Sequence, residues 1–271
     1  MSREELHVIL GTGPLGLAVM EVLHGRDKRV KMVNHSGNAT VPAGVEVARA
    51  DLTQPDSARQ VCEGATVVYF CAKPPYTQWP EKFPALLAGS LAGAASAGAR
   101  LVYADNLYAY GPVDGPLTED LPAQASGRKG RVRAQMAAML LEAHRKGEVQ
   151  VVIGRASDFF GPGVIESAVG EKVFGAALAG QTARVLGNPD LPHTYTFIGD
   201  FARALVLLGE RDEAVGEVWH VPSAETLTTR QFVEMIYREA GNPPRLQAAP
   251  SWLIGLMAWF NPIMRELKEM L

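Results

Sequence analysis

Two cysteines, Cys62 and Cys71, are all that the 271 residues contain, which excludes a disulfide framework and a cysteine-ligated metal site. The six histidines run from His7 to His220 without an HxxxH or HExxH spacing, so no metal is expected. Basic residues are not in excess: 26 Lys and Arg stand against 29 Asp and Glu, a net charge of −3, which argues against nucleic acid or an anionic membrane as partner. Their tightest grouping is Arg128, Lys129, Arg131 and Arg133. The first residues, MSREE, are charged and lack the apolar stretch of a secretory signal, so cytoplasm is the expected location. Membrane spans are lacking too. The most apolar tract, Ser251 to Met264 with Trp252, Trp259 and Phe260, falls short of the roughly 20 residues a bilayer requires. It reads as an amphipathic helix in or near a substrate pocket, with a membrane-surface helix or a dimer contact as alternatives. No repeat or low-complexity tract is visible, and Lys268 to Leu271 closes the chain without a helix stop signal, leaving open that the protein continues.

What is present is a hydrophobic content of 47%, enough for a substantial core, and a glycine-rich turn near the start. Residues 6 to 10 are a strand-like apolar run. Gly11, Thr12, Gly13, Pro14, Leu15 and Gly16 follow, and Leu15 to Leu23 is helix-like. In a GxGxxG turn set between strand and helix, the first glycine permits the bend, the second lets backbone approach a pyrophosphate, and the third lets helix pack on strand. Pro14 falls in the first helical turn, where its missing N–H costs nothing. The helix then aims free N–H groups and the positive end of its dipole at the phosphates.

Strand-like runs at Val8 to Leu10, Val30 to Val33, Val45 to Ala48, Thr66 to Cys71, Arg100 to Ala104 and Val149 to Ile153 alternate with helical stretches at Leu15 to Leu23, Gln54 to Val61, Glu81 to Ala97 and Val132 to Lys146. This alternation predicts an α/β fold, a Rossmann-type doubly wound parallel sheet covered on both faces. The nucleotide-binding domain is expected over residues 1–155, with a late helix and strand near 198–222 returning to it, and a smaller substrate-binding region over 156–271. One connection is long. Asp105 to about Arg128 is rich in Gly, Pro and Asp, and loops of that length are usually functional.

The chain resembles the extended short-chain dehydrogenases/reductases of the NAD-dependent epimerase/dehydratase family. The resemblance runs through the glycine turn, Asp51 and Leu52 after the third strand, YFCA at 69–72 after the fourth, LVYADN at 101–106 leading to YGP at 110–112 after the fifth, GRASDFFGPG at 154–163 after the sixth, and YTFIGD at 195–200 before a late helix. It implies that Asp51 holds the adenine amino group with help from the Leu52 backbone. Phe70, Cys71 and Ala72 then lie along the cofactor, as does Ala156, and Asp158 contacts substrate. Asp158 capping the following turn is the alternative.

The departures carry as much information. The family's Tyr-x-x-x-Lys pair, in which lysine holds the nicotinamide ribose and lowers the tyrosine pKa, aligns with Lys129 and Arg133. Its serine or threonine aligns with Asn106. Arg133 keeps a positive charge for the ribose hydroxyls, unless it is a solvated helix-face arginine. Lys129 beside Arg131 and Arg133 gains an acid–base role through like-charge repulsion, unless it is an exposed loop lysine. Tyr108 is the freest tyrosine to donate a proton. Tyr76 and Trp79 wall a pocket or simply pack a proline-rich loop. NAD-selective sites carry a carboxylate after the second strand. Here VNHSG at 33–37 has none, so Asn34, His35 and Ser36, with Lys31 and Arg29 nearby, favour NADP within an expected NAD(P) requirement, although no arginine follows the strand directly.

His193 stands where sugar-nucleotide members carry an arginine, and aromatic residues such as Phe159, Phe160 and Phe174 populate the second half. A small, fairly apolar carbonyl, alcohol or enone substrate is therefore expected. The expected function is an NAD(P)-dependent oxidoreductase or epimerase-like enzyme with a nonstandard proton donor. A noncatalytic dinucleotide-binding sensor and a nucleotide-sugar epimerase are the alternatives. A homodimer through two sheet-flanking helices, common in the family, is a further expectation.

Overall fold

A computed structural model describes residues 5–249. The tract at 251–264, with Trp252, Trp259 and Phe260, lies outside the described residues. Within them the elements are β1 (Leu6–Leu10), α1 (Pro14–His24), β2 (Arg29–Asn34), β3 (Glu46–Arg49), α2 (Pro55–Cys62), β4 (Val67–Phe70), α3 (Trp79–Ala97), β5 (Arg100–Asn106), α4 (Arg128–Arg145) and β6 (Val151–Ala156). There follow β7 (Asp158–Phe160), α5 (Phe174–Leu178), β8 (Ala183–Leu186), β9 (Pro192–His193), β10 (Tyr195–Phe197), α6 (Ile198–Glu210), β11 (Val218–His220), β12 (Leu227–Thr228), α7 (Thr229–Glu239) and β13 (Leu246–Ala249).

Seven strands form one sheet in the order β11-β6-β5-β4-β1-β2-β3, with every pairing parallel. Parallel strands buried on both faces read as continuous apolar runs, and β1, β4 and β6 are buried along their whole length. Alternate side chains serve opposite faces. Val8, Leu10, Val68 and Phe70 join the core beneath α2, α3 and α4. Tyr69 faces the other way, where Gly209 of α6 passes so close that an added Cβ would sit 2.8 Å from its hydroxyl. The strand order reverses between β1 and β4, and ligands of open α/β sheets bind at the carboxyl ends of the strands beside such a reversal.

The chain divides into two compact units. One is the chain up to Ala156 together with Gly199–Pro222, and the other is Ser157–Ile198 together with the chain from Ser223 onward. The second unit contains three two-stranded pieces, β7 with β10, β9 with β12 and β8 with β13. Its core joins Val173, Val185, Tyr195, Phe232, Val233 and Tyr237, with Phe160 and Phe174 packed against it. Phe160 meets Phe174 at 6.2 Å and Phe232 at 4.9 Å between ring centroids. Two of the aromatic residues that suggested an apolar substrate are thus occupied in that unit's own packing.

Candidate active site

The turn after β1 sits at the strand-order reversal. Gly11 has φ +117°, and a Cβ there would lie 2.8 to 2.9 Å from backbone atoms of Cys71 and Ala72, so glycine is required both for the bend and for the close pass of β4's extension. A Cβ on Gly16 would meet the Gly11 carbonyl oxygen at 2.1 Å. Gly13 is different. Nothing lies within 4 Å of a Cβ built on it, and its φ of −74° is open to any residue. No contact within the fold explains this glycine. It is also the N-cap of α1; Pro14 follows at the start of the helix, no side chain caps the end and no acidic residue stands in the first turn. The amides of that first turn therefore have no side-chain acceptor. Leu15 is buried beneath.

Beside the turn, Thr12 Oγ1 accepts a hydrogen bond from Asn34 Nδ2 at 2.9 Å, tying the Gly11–Gly16 segment to the end of β2. His35 and Ser36 are exposed in the loop that follows. Asp51 Oδ1 accepts from both the Thr53 amide (3.0 Å) and its hydroxyl (2.7 Å), and these bonds hold the carboxyl below its ordinary pKa. Leu52 is in the core, and Phe70, at the end of β4, is buried between Phe83 and Tyr103.

At the end of β5, the Asn106 side chain accepts from the Tyr108 amide (3.2 Å) and so caps the single helical turn Leu107–Tyr110. Lys129 is fully buried and Arg133 is 6% exposed, which overturns both readings that left these cations in solvent. Along α4 the positions 129, 132, 133, 136, 137 and 140 share one helical face, and that face is buried. The cations are held by aromatic rings. Lys129 Nζ lies 4.0 Å from the centroid of Tyr76, and the Arg133 guanidinium lies 4.6 Å from Trp79 and 4.4 Å from Phe83. Trp79 in turn stacks on Tyr108 at 6.0 Å and meets Tyr76 edge-on at 5.1 Å.

Arg133 also donates to the Tyr103 hydroxyl at 2.6 Å and lies 3.5 Å from Asp105 Oδ1; its Nε has no hydrogen-bond partner among the described residues. Burial raises the Tyr103 phenol well above the ordinary tyrosine range, an effect the Arg133 charge only partly offsets. The other Asp105 oxygen accepts from Arg155 Nε at 2.8 Å. The Arg155 guanidinium lies 4.8 Å from the Tyr110 ring, and the Tyr110 hydroxyl is 2.7 Å from His220 Nε2. A polar chain therefore crosses the carboxyl ends of β5, β6 and β11. Arg155, Tyr103 and His220 were missed as site residues, because only strand pairing brings them to Asp105. Ala156, buried at the end of β6, pairs in register with Asn106.

In the second unit, His193 Nε2 lies 3.2 Å from Asp158 Oδ2, with both side chains partly exposed. The His193 ring rests 4.6 Å from Tyr195. One Asp158 oxygen is therefore paired with a histidine. Among the described residues no group of histidine, cysteine and carboxylate side chains is arranged to hold a metal, and no helix is long and apolar enough to cross a membrane.

The sequence profile of the NAD-dependent epimerase/dehydratase family matches residues 8–221. The chain belongs to that family. No curated protein matches it in sequence. Solved structures with the same fold include an epimerase from Methanothermobacter thermautotrophicus, at 18% identity over 91% of this chain and 80% of that one, with a TM-score of 0.80. A UDP-glucose 4-epimerase from Thermus thermophilus, in complex with NAD, is 20% identical over 90% of this chain and 86% of its own, with a TM-score of 0.74. A dTDP-glucose 4,6-dehydratase from Streptomyces venezuelae, also with NAD bound, is 18% identical over 90% and 84%, with a TM-score of 0.77.

Proposed function

We propose that the protein is an NAD(P)-dependent oxidoreductase or epimerase-like enzyme, with NADP favoured, that acts on a small, fairly apolar carbonyl, alcohol or enone compound. The observation that carries this reading is the open space at Gly13 between two glycines the fold itself requires. The dinucleotide, when bound, supplies hydride transfer at its nicotinamide ring. The backbone of Gly11 to Gly16 and the amino end of α1 hold its pyrophosphate. Asp51 holds the adenine amino group through the oxygen not engaged with Thr53, and the Phe70, Cys71 and Ala72 backbone lies along the ribose and phosphates. The positive charge of Arg133 is assigned to the nicotinamide ribose hydroxyls.

Proton transfer falls to Tyr108, whose amide is held by Asn106, or to Lys129, which lies over the Tyr76 ring. Positioned acid–base catalysis is worth about 10² to 10⁴ in rate, so a site that lost the tyrosine favours products needing little assisted protonation, such as those from enones and quinones. Asp158 and His193 are assigned to substrate. A carboxylate paired with His193, where sugar-nucleotide members carry arginine, opposes a substrate diphosphate and disfavours the nucleotide-sugar epimerase alternative.

A second reading, a noncatalytic dinucleotide-binding sensor, draws support from the burial of Lys129 and Arg133 among aromatic rings. Assaying the purified chain for NADPH oxidation over aldehydes, ketones, enones and quinones separates the two. We expect turnover with enones or quinones. Gly13→Val should abolish NADPH binding in calorimetry while leaving circular dichroism unchanged, and Tyr108→Phe or Lys129→Met should cut turnover by about 10² to 10⁴ with NADPH affinity nearly constant. Turnover at the parent rate in both of the last two variants would overturn the rebuilt site. An inert parent that still binds NADPH would favour the sensor.

A further inference from the structure

Sites that prefer an unphosphorylated adenosine ribose place a carboxylate at the end of β2 to accept from its two hydroxyls. Asn34 occupies that place, and its amide is used up inside the protein. Nδ2 donates to Thr12 Oγ1 (2.9 Å) and to the Asn38 carbonyl (2.8 Å); Oδ1 accepts from the Gly37 amide (2.6 Å) and the Ser36 hydroxyl (3.0 Å). A carboxamide has two N–H donors and two strong acceptor positions. All are taken, so Asn34 locks the 35–38 loop against the glycine turn and has nothing left for a ribose diol.

The strand pairing brings another residue to the same place. Arg49, the last residue of β3, pairs in register with Asn34. Gly37, at φ +75°, lets the loop curl so near that a Cβ there would lie 2.9 Å from the Arg49 Cβ. Arg49 is exposed and makes no hydrogen bond or ion pair with the described residues. The neighbouring carboxylates are engaged elsewhere, Glu46 3.6 Å from Lys31 and Asp51 with Thr53. An uncommitted guanidinium beside a locked loop without a carboxylate is suited to a phosphate dianion, which it can grip with two parallel N–H···O bonds.

We propose that Arg49 is the residue that selects the 2′-phosphorylated dinucleotide, by binding the phosphate on its adenosine ribose. This rests on the dinucleotide reading above and deepens it. The β2-end segment itself offers no such arginine; the contact is supplied by a different strand.

Calorimetric titration of the full chain with NADPH, NADH and adenosine 2′,5′-bisphosphate tests it, with Arg49→Ala and Arg49→Lys alongside. Both variants keep the Cβ that packs beside Gly37. The parent should bind NADPH more tightly than NADH. Arg49→Ala should weaken NADPH and adenosine 2′,5′-bisphosphate about 10- to 100-fold while leaving NADH within about twofold, as expected for loss of a charge-assisted hydrogen bond. Arg49→Lys should recover part of the loss. An unchanged NADPH-to-NADH ratio in Arg49→Ala, or a parent that prefers NADH, overturns the role of Arg49 and leaves the dinucleotide site standing. Failure of the parent to bind any of the three overturns the dinucleotide reading and this inference with it.

Discussion

Asp105 is a single buried carboxylate serving two buried guanidinium groups. Burial alone works against the charge on Arg155, yet the Asp105 carboxylate and the hydrogen bonds around it outweigh that effect and raise the Arg155 pKa above its ordinary value. Removing one member of a buried ionic group leaves the others desolvated without compensation, at a cost of about 3–5 kcal/mol. Asp105→Asn keeps the shape and deletes the charge. It should lower the urea midpoint by that amount of stability with an unchanged slope, and a loss under about 1 kcal/mol would show that water reaches Arg133 and Arg155 instead. The clue that Lys129 and Arg133 are internal was present in the sequence. Both fall on the helical face that carries Val132, Met136, Ala137 and Leu140. The partners of Arg133 were not legible, because Asp105 and Tyr103 of β5 reach it only through the packing of α4 on the sheet.

Among the elements, the long connection after β5 is anchored at a point the sequence does not mark. Glu119 Oε1 accepts from the His220 amide at 2.8 Å, and its other oxygen lies 4.0 Å from His220 Nδ1, so the loop is tied to the end of β11. These contacts hold the Glu119 carboxyl below its ordinary pKa, the backbone hydrogen bond foremost. Glu119→Ala should release the segment at 111–127 and speed its cleavage by a nonspecific protease several-fold, with Glu119→Gln intermediate. Equal cleavage in all three proteins would mean that other contacts hold the loop. Element boundaries show how local signals mislead. Helix α4 begins at Arg128, a turn before the expected Val132, since Gly130 looks like a loop residue in sequence. In the fold it is a packing glycine, whose Cβ would meet the Tyr108 carbonyl oxygen at 2.5 Å. Helix α3 begins at Trp79 rather than Glu81, because Pro80 fits a first helical turn.

For the whole molecule, a seven-stranded parallel sheet buries nearly everything its central strands carry, including an imidazole ring. His7 of β1 is 1% exposed and bonded to the Tyr69 hydroxyl at 3.3 Å. Burial first, then the Lys28 charge, holds its pKa below the ordinary value. The His220 pKa is lowered as well, by burial and by Arg155. A base whose folded pKa is depressed binds protons more readily when unfolded. Its contribution to stability is therefore complete above the unfolded pKa of about 6.5 and is lost as pH falls toward the folded value. The acidic groups with lowered pKa, Glu5, Asp51, Glu119 and Asp190, act in the same direction but only below about pH 4.5, so the interval between about pH 7 and 5 isolates the histidines. Unfolding free energy should fall across that interval in the parent and fall less in His7→Gln; parallel curves would place the acid sensitivity elsewhere.

The fold class was set by what adjacent residues can express. Period-2 and continuous apolar runs alternating with helical stretches, together with a glycine turn between the first strand and helix, leave few arrangements other than a doubly wound parallel sheet. The same local information carried the family resemblance, because a residue type at a given spacing is a property of the chain alone. Contacts between residues far apart in sequence were decided only by the tertiary structure. Arg49 stands beside Asn34 because β3 pairs with β2, Asp105 meets Arg155 because β6 pairs with β5, and Gly13 is distinguished from Gly11 and Gly16 by the empty space around it. Pairing register and free volume are properties of packed chains, and a spacing pattern cannot encode either directly.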